Sequence, residues 1–256
     1  MTYSAPARHT HLVLIPSYNT GRKLLETVQA ARAHWAPVWV VIDGSTDGSD
    51  LAVERHFAGD PDVRLFRLPR NQGKGAAILH GLRQAEAETF THVLTMDADG
   101  QHPAWMIPDF VAQSRANPEA LILGRPVFDS TAPRIRVLGR KLSNLGTTLE
   151  TFRHFDSLFG FRIYPVAALR QVMESSRWMR RFDFDAEAVV RLCWKGFRPI
   201  NLPTPVQYFR PEQGGVSHFN YLRDNLLLSW MHARLVAGFV LRLPSVLRWR
   251  LRSSRH

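Results

Sequence analysis

The tripeptide Asp-Ala-Asp at 97–99 contains the residues best suited to metal chemistry. It directly follows an apolar run at 92–96 that is typical of a short buried strand. Two carboxylates two residues apart at a strand end project to about the same side. Mg²⁺ and Mn²⁺ prefer such oxygen ligands and often hold substrate phosphates as well. The pattern predicts a Mg²⁺ or Mn²⁺ site formed by Asp97 and Asp99, with Gln101 as a further oxygen ligand.

The elements that must position these residues alternate between strand and helix patterns. Short runs rich in Val, Ile and Leu predict buried strands at 12–16, 38–42, 63–68, 92–96 and 120–124. Segments of helical length separate them, at 20–34, 47–57, 75–87 and 103–115. This alternation predicts an α/β fold with a mostly parallel sheet flanked by helices. The polar, basic stretch at 129–140 is predicted to be a loop.

Polar loops follow three of the predicted strands. Ser17-Tyr18-Asn19 follows the first, a loop beginning at Asp43 follows the second, and the loop at 97–99 follows the fourth. Ligands of open α/β sheets bind outside the carboxyl ends of the strands. The three loops are therefore predicted to meet at one edge of the sheet and to form a shared binding site.

The composition limits the classes of partner. A chain of 256 residues with 45% hydrophobic content can form one large α/β domain or two small ones. Its single cysteine, Cys193, excludes an intramolecular disulfide and, with no signal-peptide pattern visible, is typical of a reducing compartment. The formal net charge of +11 predicts an anionic partner: nucleic acid, phosphate esters or an acidic membrane surface.

Much of the positive charge lies near the C-terminus. Residues 220–256 contain seven arginines and one aspartate. The apolar runs at 226–231 and 235–241 are shorter than the roughly 18 to 20 residues of a spanning helix. Arginines interspersed among such runs suit a helix that lies in the membrane interface. We therefore predict a domain at 1–218 and a basic, amphipathic, membrane-associating tail at 219–256, the alternative being a helix packed on the domain.

Competing motifs are absent from the sequence. No Gly-x-x-x-x-Gly-Lys-Ser/Thr phosphate loop occurs, and the first strand is not followed by Gly-x-Gly. An EF-hand beginning at Asp97 would need glycine and glutamate where His102 and Pro108 stand. The acidic strand ends argue against a nucleic-acid binder. A sugar-nucleotide pyrophosphorylase would need a glycine-rich loop after the first strand, where the sequence has Pro-Ser-Tyr-Asn.

Four ordered motifs resemble a known family. They are Pro-Ser-Tyr-Asn at 16–19, Val-Val-Ile-Asp-Gly-Ser-Thr-Asp-Gly at 40–48, Asn-Gln-Gly-Lys-Gly at 71–75 and Met-Asp-Ala-Asp-Gly-Gln-His-Pro at 96–103. Together they resemble the inverting family-two glycosyltransferases of the GT-A fold, a Rossmann-like α/β architecture. The similarity is greatest to the branch that mannosylates or glucosylates polyprenyl or dolichyl phosphates. Further matches lie at 160–164, 184–187 and 210–218.

The resemblance implies roles for residues around a nucleotide sugar. Asp43 would read the nucleobase, and Pro16, Tyr18 and Asn19 would line its pocket. Asp97, Asp99 and Gln101 would form the metal and diphosphate site, and Lys74 would lie near the donor. Arg210 and His218 would belong to a loop that closes over the diphosphate.

The resemblance also implies residues for the acceptor. Arg125, Arg140 and Ser143 fall where the lipid-phosphate branch binds the acceptor phosphate, and Asp185 is the candidate base for a hydroxyl acceptor. The sequence departs from the family at Ile42, where a second carboxylate is usual. It departs again at 155–159, where little of the branch's polar run remains.

The function implied is transfer of a hexose, with inversion and a divalent metal, from a UDP- or GDP-linked sugar to a membrane lipid acceptor. A polyprenyl phosphate is the expected acceptor, on the cytoplasmic face of the plasma membrane, with no nucleic-acid partner. Two alternatives stay open: a hydroxyl acceptor without phosphate, and a catalytically silent, membrane-bound nucleotide-sugar binder.

Overall fold

A computed structural model of the chain describes residues 10–128, 134–206 and 221–253, with side chains described for 139–206 and 222–242 in the last two ranges. The strands are β1 (His11–Ser17), β2 (Val38–Asp43), β3 (Val63–Leu68), β4 (His92–Thr95), β5 (Ala120–Val127), β6 (Arg162–Pro165) and β7 (Arg198–Pro205). The α-helices are α1 (Arg22–His34), α2 (Ser49–His56), α3 (Lys74–Ala87), α4 (Ile107–Ala116), α5 (Arg134–Thr151), α6 (Val166–Glu174), α7 (Phe184–Trp194) and α8 (Tyr221–Ser253).

The strands of the described residues form one seven-stranded sheet. Its order is β3-β2-β1-β4-β6-β5-β7. Strands β1 to β4 are mutually parallel, β6 runs antiparallel to both of its neighbours, and β7 is parallel to β5. The prediction of a mostly parallel sheet flanked by helices is confirmed. All five predicted strands are present, and β6 and β7 are additional.

Helices cover both faces of the sheet. Alternate residues of β1 point to opposite faces, so Leu12 and Leu14 join one hydrophobic core while Val13 and Ile15 join the other. The first core also contains residues of α3, α6 and α7, and the second contains residues of α1 and α4. Burial on both faces explains why the parallel strands read as continuous apolar runs in the sequence.

Two predicted segments differ in detail. The segment at 103–115 begins with a 3₁₀ turn, Ala104–Met106, before α4, whose first turn contains Pro108. Proline is tolerated there because the first amides of a helix have no intrahelical partner. The prediction of a loop at 129–140 is wrong from Arg134 onward, where α5 begins. Because basic residues are frequent in this stretch, the helical spacing of its apolar residues is not apparent from the sequence.

The C-terminal helix α8 packs on the domain along one side. Leu228, Met231 and Leu235 are buried in the core that contains α7. None of the described helices combines the length and the apolar character needed to cross a bilayer.

Candidate functional site

Loops from separate parts of the chain surround a cavity of about 620 Å³ at the carboxyl ends of the strands. Pro16 and Tyr18 follow β1, Asp43 ends β2, and Asp97 and Asp99 follow β4. The strand order changes direction at β1 and β4, and open α/β sheets form their binding crevice at such a point. The side chains at 43 and 99 therefore line the same cavity, as the sequence predicts.

Lys74 lies between two carboxylates at the first cavity. Its Nζ lies 2.7 Å from Asp97 Oδ1 and 2.7 Å from Asp185 Oδ2, although Asp185 is 111 positions away in the chain. Burial by itself would lower the pKa of Lys74, but the two carboxylates raise it above its ordinary value. Lys74 is thus a fixed positive charge that brings β4 and α7 together.

Gly160 leaves room for this ion pair. A Cβ atom there would lie 2.7 Å from both Asp97 Oδ2 and Lys74 Nζ. The glycine that begins the matched segment at 160–164 is therefore explained by the close approach of charged groups.

His102 holds Asp97 in position through contacts to its backbone and its side chain. The backbone N–H of Asp97 donates to His102 Nδ1 at 3.0 Å, which leaves the ring proton on Nε2, 3.6 Å from Asp97 Oδ2. Burial lowers the pKa of His102 to about 4, so the ring is neutral at pH 7. Burial would raise the pKa of Asp97, but Lys74 holds it below its usual value. Asp97 is therefore ionised and held by both neighbours.

Asp99 differs from Asp97 in its electrostatics. Burial, and then the charge of Asp97, raise the pKa of Asp99 to about 6. Its Oδ1 accepts a hydrogen bond from the Gln101 amide at 3.0 Å. The turn between them passes through Gly100, whose φ of 77° suits glycine. A cation at this point would favour the ionised form of Asp99.

The oxygen atoms at the cavity suit a cation that is also coordinated by a bound ligand. Asp99 and Gln101 both line the cavity and offer hard oxygen atoms, whereas Asp97 is engaged by Lys74. Within the described residues, no group of three or more His, Cys, Asp or Glu side chains could enclose a metal by itself. Mg²⁺ usually binds through one or two carboxylates plus substrate phosphates, and the residues present fit that mode.

Asp185 lies in the first turn of α7. Its side chain is buried, and burial raises its pKa despite the neighbouring Lys74. Oδ2 is bound to Lys74, while no hydrogen bond to Oδ1 is found in the described part of the chain. The fully buried Arg162 donates to the backbone carbonyls of Asp185 and Asp156. Arg162 therefore fixes the start of α7 beside the cavity.

Asp43 organises the loop after β3. Its Oδ1 accepts from the Gln72 amide at 2.8 Å and its Oδ2 from the Gly73 amide at 2.7 Å. Burial raises its pKa above the usual range. Gly44 lets the two loops touch, since a Cβ there would lie 2.4 Å from the backbone carbonyl carbon of Arg70. Asp43 thus holds residues 71–73 at the cavity that it lines.

Asn19 braces the loops after β1 and β2. Its amide donates to Ser45 Oγ at 3.0 Å, and its Oδ1 accepts from the Thr46 amide at 2.7 Å. Pro16 and Tyr18 line the cavity, whereas Asn19 supports the loop that presents them. Arg210 and His218 lie outside the described residues.

A second cavity of about 730 Å³ contains two of the predicted acceptor residues. Arg125 and Arg140 line it together with Lys141. Arg140 forms an ion pair with the buried Asp156. Ser143 is buried nearby, where its hydroxyl bonds Ser157 Oγ at 2.8 Å and His232 Nε2 at 3.0 Å. The structure therefore brings the two arginines to one cavity, whereas Ser143 is buried and does not line it.

Comparison with known proteins decides the family. The profile described as "Glycosyl transferase family 2" matches residues 12–176, more than half of the chain. The chain belongs to this family. The resemblance on which the sequence analysis rests is thereby confirmed.

Several relatives of this glycosyltransferase are named for lipid acceptors. "Polyprenol monophosphomannose synthase" of Mycolicibacterium smegmatis is 27% identical over 223 residues, covering 83% of this chain and 81% of the relative. "Undecaprenyl-phosphate mannosyltransferase" of Micrococcus luteus is 26% identical over 208 residues, covering 75% and 81%. "Dolichyl-phosphate beta-glucosyltransferase ALG5C" of Trichomonas vaginalis is 28% identical over 213 residues, covering 74% and 61%.

The solved structures support the fold. Glucosyl-3-phosphoglycerate synthase from Mycobacterium tuberculosis, crystallised with Mn²⁺, UDP-glucose and phosphoglyceric acid, matches with a TM-score of 0.61. The identity is 18%, and the match covers 92% of this chain and 80% of the synthase. The same synthase has been crystallised with Mg²⁺ and UDP, with a TM-score of 0.62. The GT-A architecture of this glycosyltransferase is thus confirmed.

Two further cations line the first cavity of this glycosyltransferase and are not evident from the sequence. Arg181 precedes α7 and Arg223 lies in the first turn of α8. The loop with Arg181 is shaped by the buried Asp183, which accepts from the amides of Met179 at 2.9 Å and Arg181 at 3.0 Å. The only sequence signal for Arg181 is its place three residues before the matched segment at 184–187.

Proposed function

We propose that this chain transfers a hexose from a nucleotide diphosphate sugar to a polyprenyl phosphate, with inversion and with a divalent cation. One observation carries the proposal: a lysine held between two carboxylates lies in a cavity that also presents Asp99 and Asp43. A second cavity lined by Arg125, Arg140 and Lys141 and relatives named for polyprenyl phosphates support the acceptor.

The donor side follows from charge. Asp99 and Gln101 would hold Mg²⁺ or Mn²⁺ together with the diphosphate, as the crystallisation of a structural neighbour with Mn²⁺ and UDP-glucose also suggests. When bound, the cation supplies positive charge to the leaving diphosphate. Arg181 adds positive charge at the same cavity, where negative charge develops as the anomeric bond breaks, whereas the charge of Lys74 is already balanced by Asp97 and Asp185.

The acceptor side follows from the second cavity. Arg125, Arg140 and Lys141 offer positive charge to a phosphate group. A phosphate monoester has its second pKa near 6, so it is already ionised at pH 7 and needs no protein base. Its oxygen would displace the diphosphate from the opposite face of the sugar, which inverts the anomeric centre. For such an acceptor, we expect the protein to lie peripherally on the cytoplasmic face of the plasma membrane.

A hydroxyl acceptor is the second candidate, and Asp185 favours it. One oxygen of this buried carboxylate is bound to Lys74, and Oδ1 has no hydrogen bond within the described part of the chain. A hydroxyl nucleophile needs a base within hydrogen-bond reach, and Asp185 Oδ1 would serve. With a phosphate acceptor, Asp185 instead keeps Lys74 in place.

The experiment combines binding with turnover. UDP, GDP and their sugars are screened with Mn²⁺ by thermal shift, and transfer to a short polyprenyl phosphate is then measured with the sugar that stabilises the protein most. Asp99→Ala should abolish both the Mn²⁺-dependent shift and the transfer. Asp109→Ala, at an exposed aspartate of α4, is the matched control and should change neither. Stabilisation without transfer to any acceptor would identify a silent binder instead.

A further inference from the structure

Helix α5 has its polarity reversed relative to an ordinary surface helix. Ser143, Thr147 and Glu150 face the domain and are buried. Leu142 and Leu149 point away from it, with 65% and 58% of their surface exposed. A helix on the surface of a globular protein normally buries its apolar stripe and exposes its polar one.

Hydrogen bonds to α8 fix this orientation. His232 of α8 lies between two buried residues of α5, with Nε2 3.0 Å from Ser143 Oγ and Nδ1 2.8 Å from Glu150 Oε1. Gly146 allows the contact, because a Cβ there would lie 2.8 Å from the His232 ring. Rotating α5 to bury its leucines would break these bonds and leave a buried carboxylate without its partner.

Exposed apolar residues continue from α5 onto α8. Phe152, which directly follows α5, contacts Phe239 of α8 edge to face, with ring centroids 5.3 Å apart. The α5–α8 apolar face comprises Leu142, Leu145, Leu149, Phe152, Leu222, Leu226, Val236 and Val240, each at least 40% exposed. The α8 members recur at helical spacing and form one stripe. Contiguous exposed apolar surface of this kind marks an interaction site.

The charge of the two helices selects the partner. Helix α5 contains four basic residues and one acidic residue, and the acidic one is Glu150, which is buried. Helix α8 contains six arginines and one aspartate, Asp224, which is also buried. An apolar stripe on basic helices is the composition of an element that lies in the interface of an anionic membrane.

We propose that the α5–α8 apolar face docks on the surface of an anionic lipid membrane, with α5 contributing as well as the C-terminal helix. Leu145 belongs to this face and also lines the second cavity. The basic Lys141 lines the same cavity. Docking places the mouth of that cavity at the lipid headgroups, where the phosphate of a membrane-embedded acceptor lies. This link to the acceptor rests on the proposed function, whereas the docking itself does not.

The test uses the full chain and sedimentation with vesicles. Vesicles of phosphatidylcholine and phosphatidylglycerol in equal amounts are compared with vesicles of phosphatidylcholine alone. Leu145→Glu/Leu149→Glu should lower partitioning onto the anionic vesicles by at least about tenfold, because two apolar contacts are replaced by charges that the lipid repels. Leu51→Glu/Trp105→Glu, at similarly exposed apolar positions in α2 and the 3₁₀ turn, should bind like the parent.

A third variant separates the two helices. Leu226→Glu/Val240→Glu removes the apolar stripe of α8 and should also reduce binding. If only this variant lost binding and the α5 variant bound fully, the inferred role of α5 would be wrong. Equal binding of the parent to neutral and anionic vesicles would overturn the choice of an anionic surface. A parent dimer in the absence of lipid that the α5 variant dissociates would assign the face to a second copy instead.

A separate measurement shows that the variants are folded. The melting temperature of the α5 variant, and its shift with Mn²⁺ and UDP or GDP, should equal those of the parent, because the substituted leucines are exposed. Lost vesicle binding with a retained nucleotide shift supports the docking proposal. A parent that binds vesicles but no nucleotide would contradict the proposed function and leave the docking proposal standing.

Discussion

Lys74 is the residue on which the electrostatics of the first cavity depend. It separates Asp97 from Asp185, and only 12% of its side chain is exposed. Removing a buried charge costs far more than an exposed ion pair contributes, because the remaining partners stay buried without compensation. The stability of the loop after β4 and the arrangement of the charged groups at the donor site therefore both depend on Lys74.

Lys74→Met should destabilise the protein by about 3 kcal/mol, the usual cost of breaking a buried ion pair. Asp97 and Asp185 then repel each other, so their pKa values rise and the penalty is smaller at pH 5.5 than at pH 7.5. Urea unfolding at both pH values measures the effect. Lys195→Met, at an exposed lysine, is the control and should change little at either pH.

Asp185→Asn distinguishes the two acceptor classes. If a hydroxyl is the acceptor, loss of the base should lower kcat by about 10² to 10⁴-fold. If a phosphate is the acceptor, the fall should be much smaller, because the nucleophile is already ionised and Asp185 only holds Lys74. Transfer assays with a polyprenyl phosphate and with the corresponding polyprenol measure both. An unchanged rate with a hydroxyl acceptor would refute the base assignment.

At the scale of elements, β6 supports the charged groups of the first cavity. It is inserted antiparallel between β4 and β5, and it presents Gly160 just before its start and Arg162 at its first position. Gly160 leaves space for the Lys74–Asp97 pair, and Arg162 donates to the carbonyl at the start of α7. One short strand thus sets the distance between the loop after β4 and α7.

Gly160→Ala should reduce transfer more than it reduces stability. The added Cβ displaces the ends of two flexible side chains, Asp97 and Lys74, which can move at modest cost in folding but lose their alignment with the donor. A fall in kcat of at least about tenfold, with less than about 1.5 kcal/mol lost from the free energy of unfolding, is expected. The control is Gly139→Ala in α5, where a Cβ meets nothing within 4 Å and both quantities should be preserved.

At the scale of the whole molecule, the two ends of the sheet carry different groups of residues. The carboxyl ends carry the cavity, whereas the opposite end of β1 and β4 carries a buried pair of histidines. His11 and His92 are directly paired across the strands and stack with ring centroids 4.6 Å apart. Burial, and then His92, lower the pKa of His11 to about 4, and burial also lowers that of His92.

This pair makes stability depend on pH. The unfolded pKa of His11 is 6.5 and its folded pKa is about 4, so the unfolded chain binds more protons between these values. Stability is therefore full above pH 6.5 and falls as the pH drops towards 4, by roughly 3 kcal/mol from His11 alone. Urea unfolding from pH 7.5 to 4.5 should show a shallower decline for His11→Asn. The exposed His34→Asn is the control and should decline like the parent.

The sequence by itself determined the parallel half of the sheet, the three polar loops and the family. These are local patterns: buried parallel strands are continuous apolar runs, and their ends are marked by short polar motifs. The sequence did not reveal β7, which contains Pro199, Pro203 and Pro205. Prolines argue against a central strand, but β7 pairs only with β5 at the edge of the sheet, where a missing amide is tolerated.

Only the tertiary structure decided which charges meet. Lys74 and Asp185 become partners because β6 reverses direction and returns α7 to the cavity, a long-range event with no local signature. The burial of Ser143 and the outward leucines of α5 depend likewise on His232 of α8. Side-chain type and spacing define the candidates, whereas chain reversal and helix packing determine the distances and the burial on which their chemistry depends.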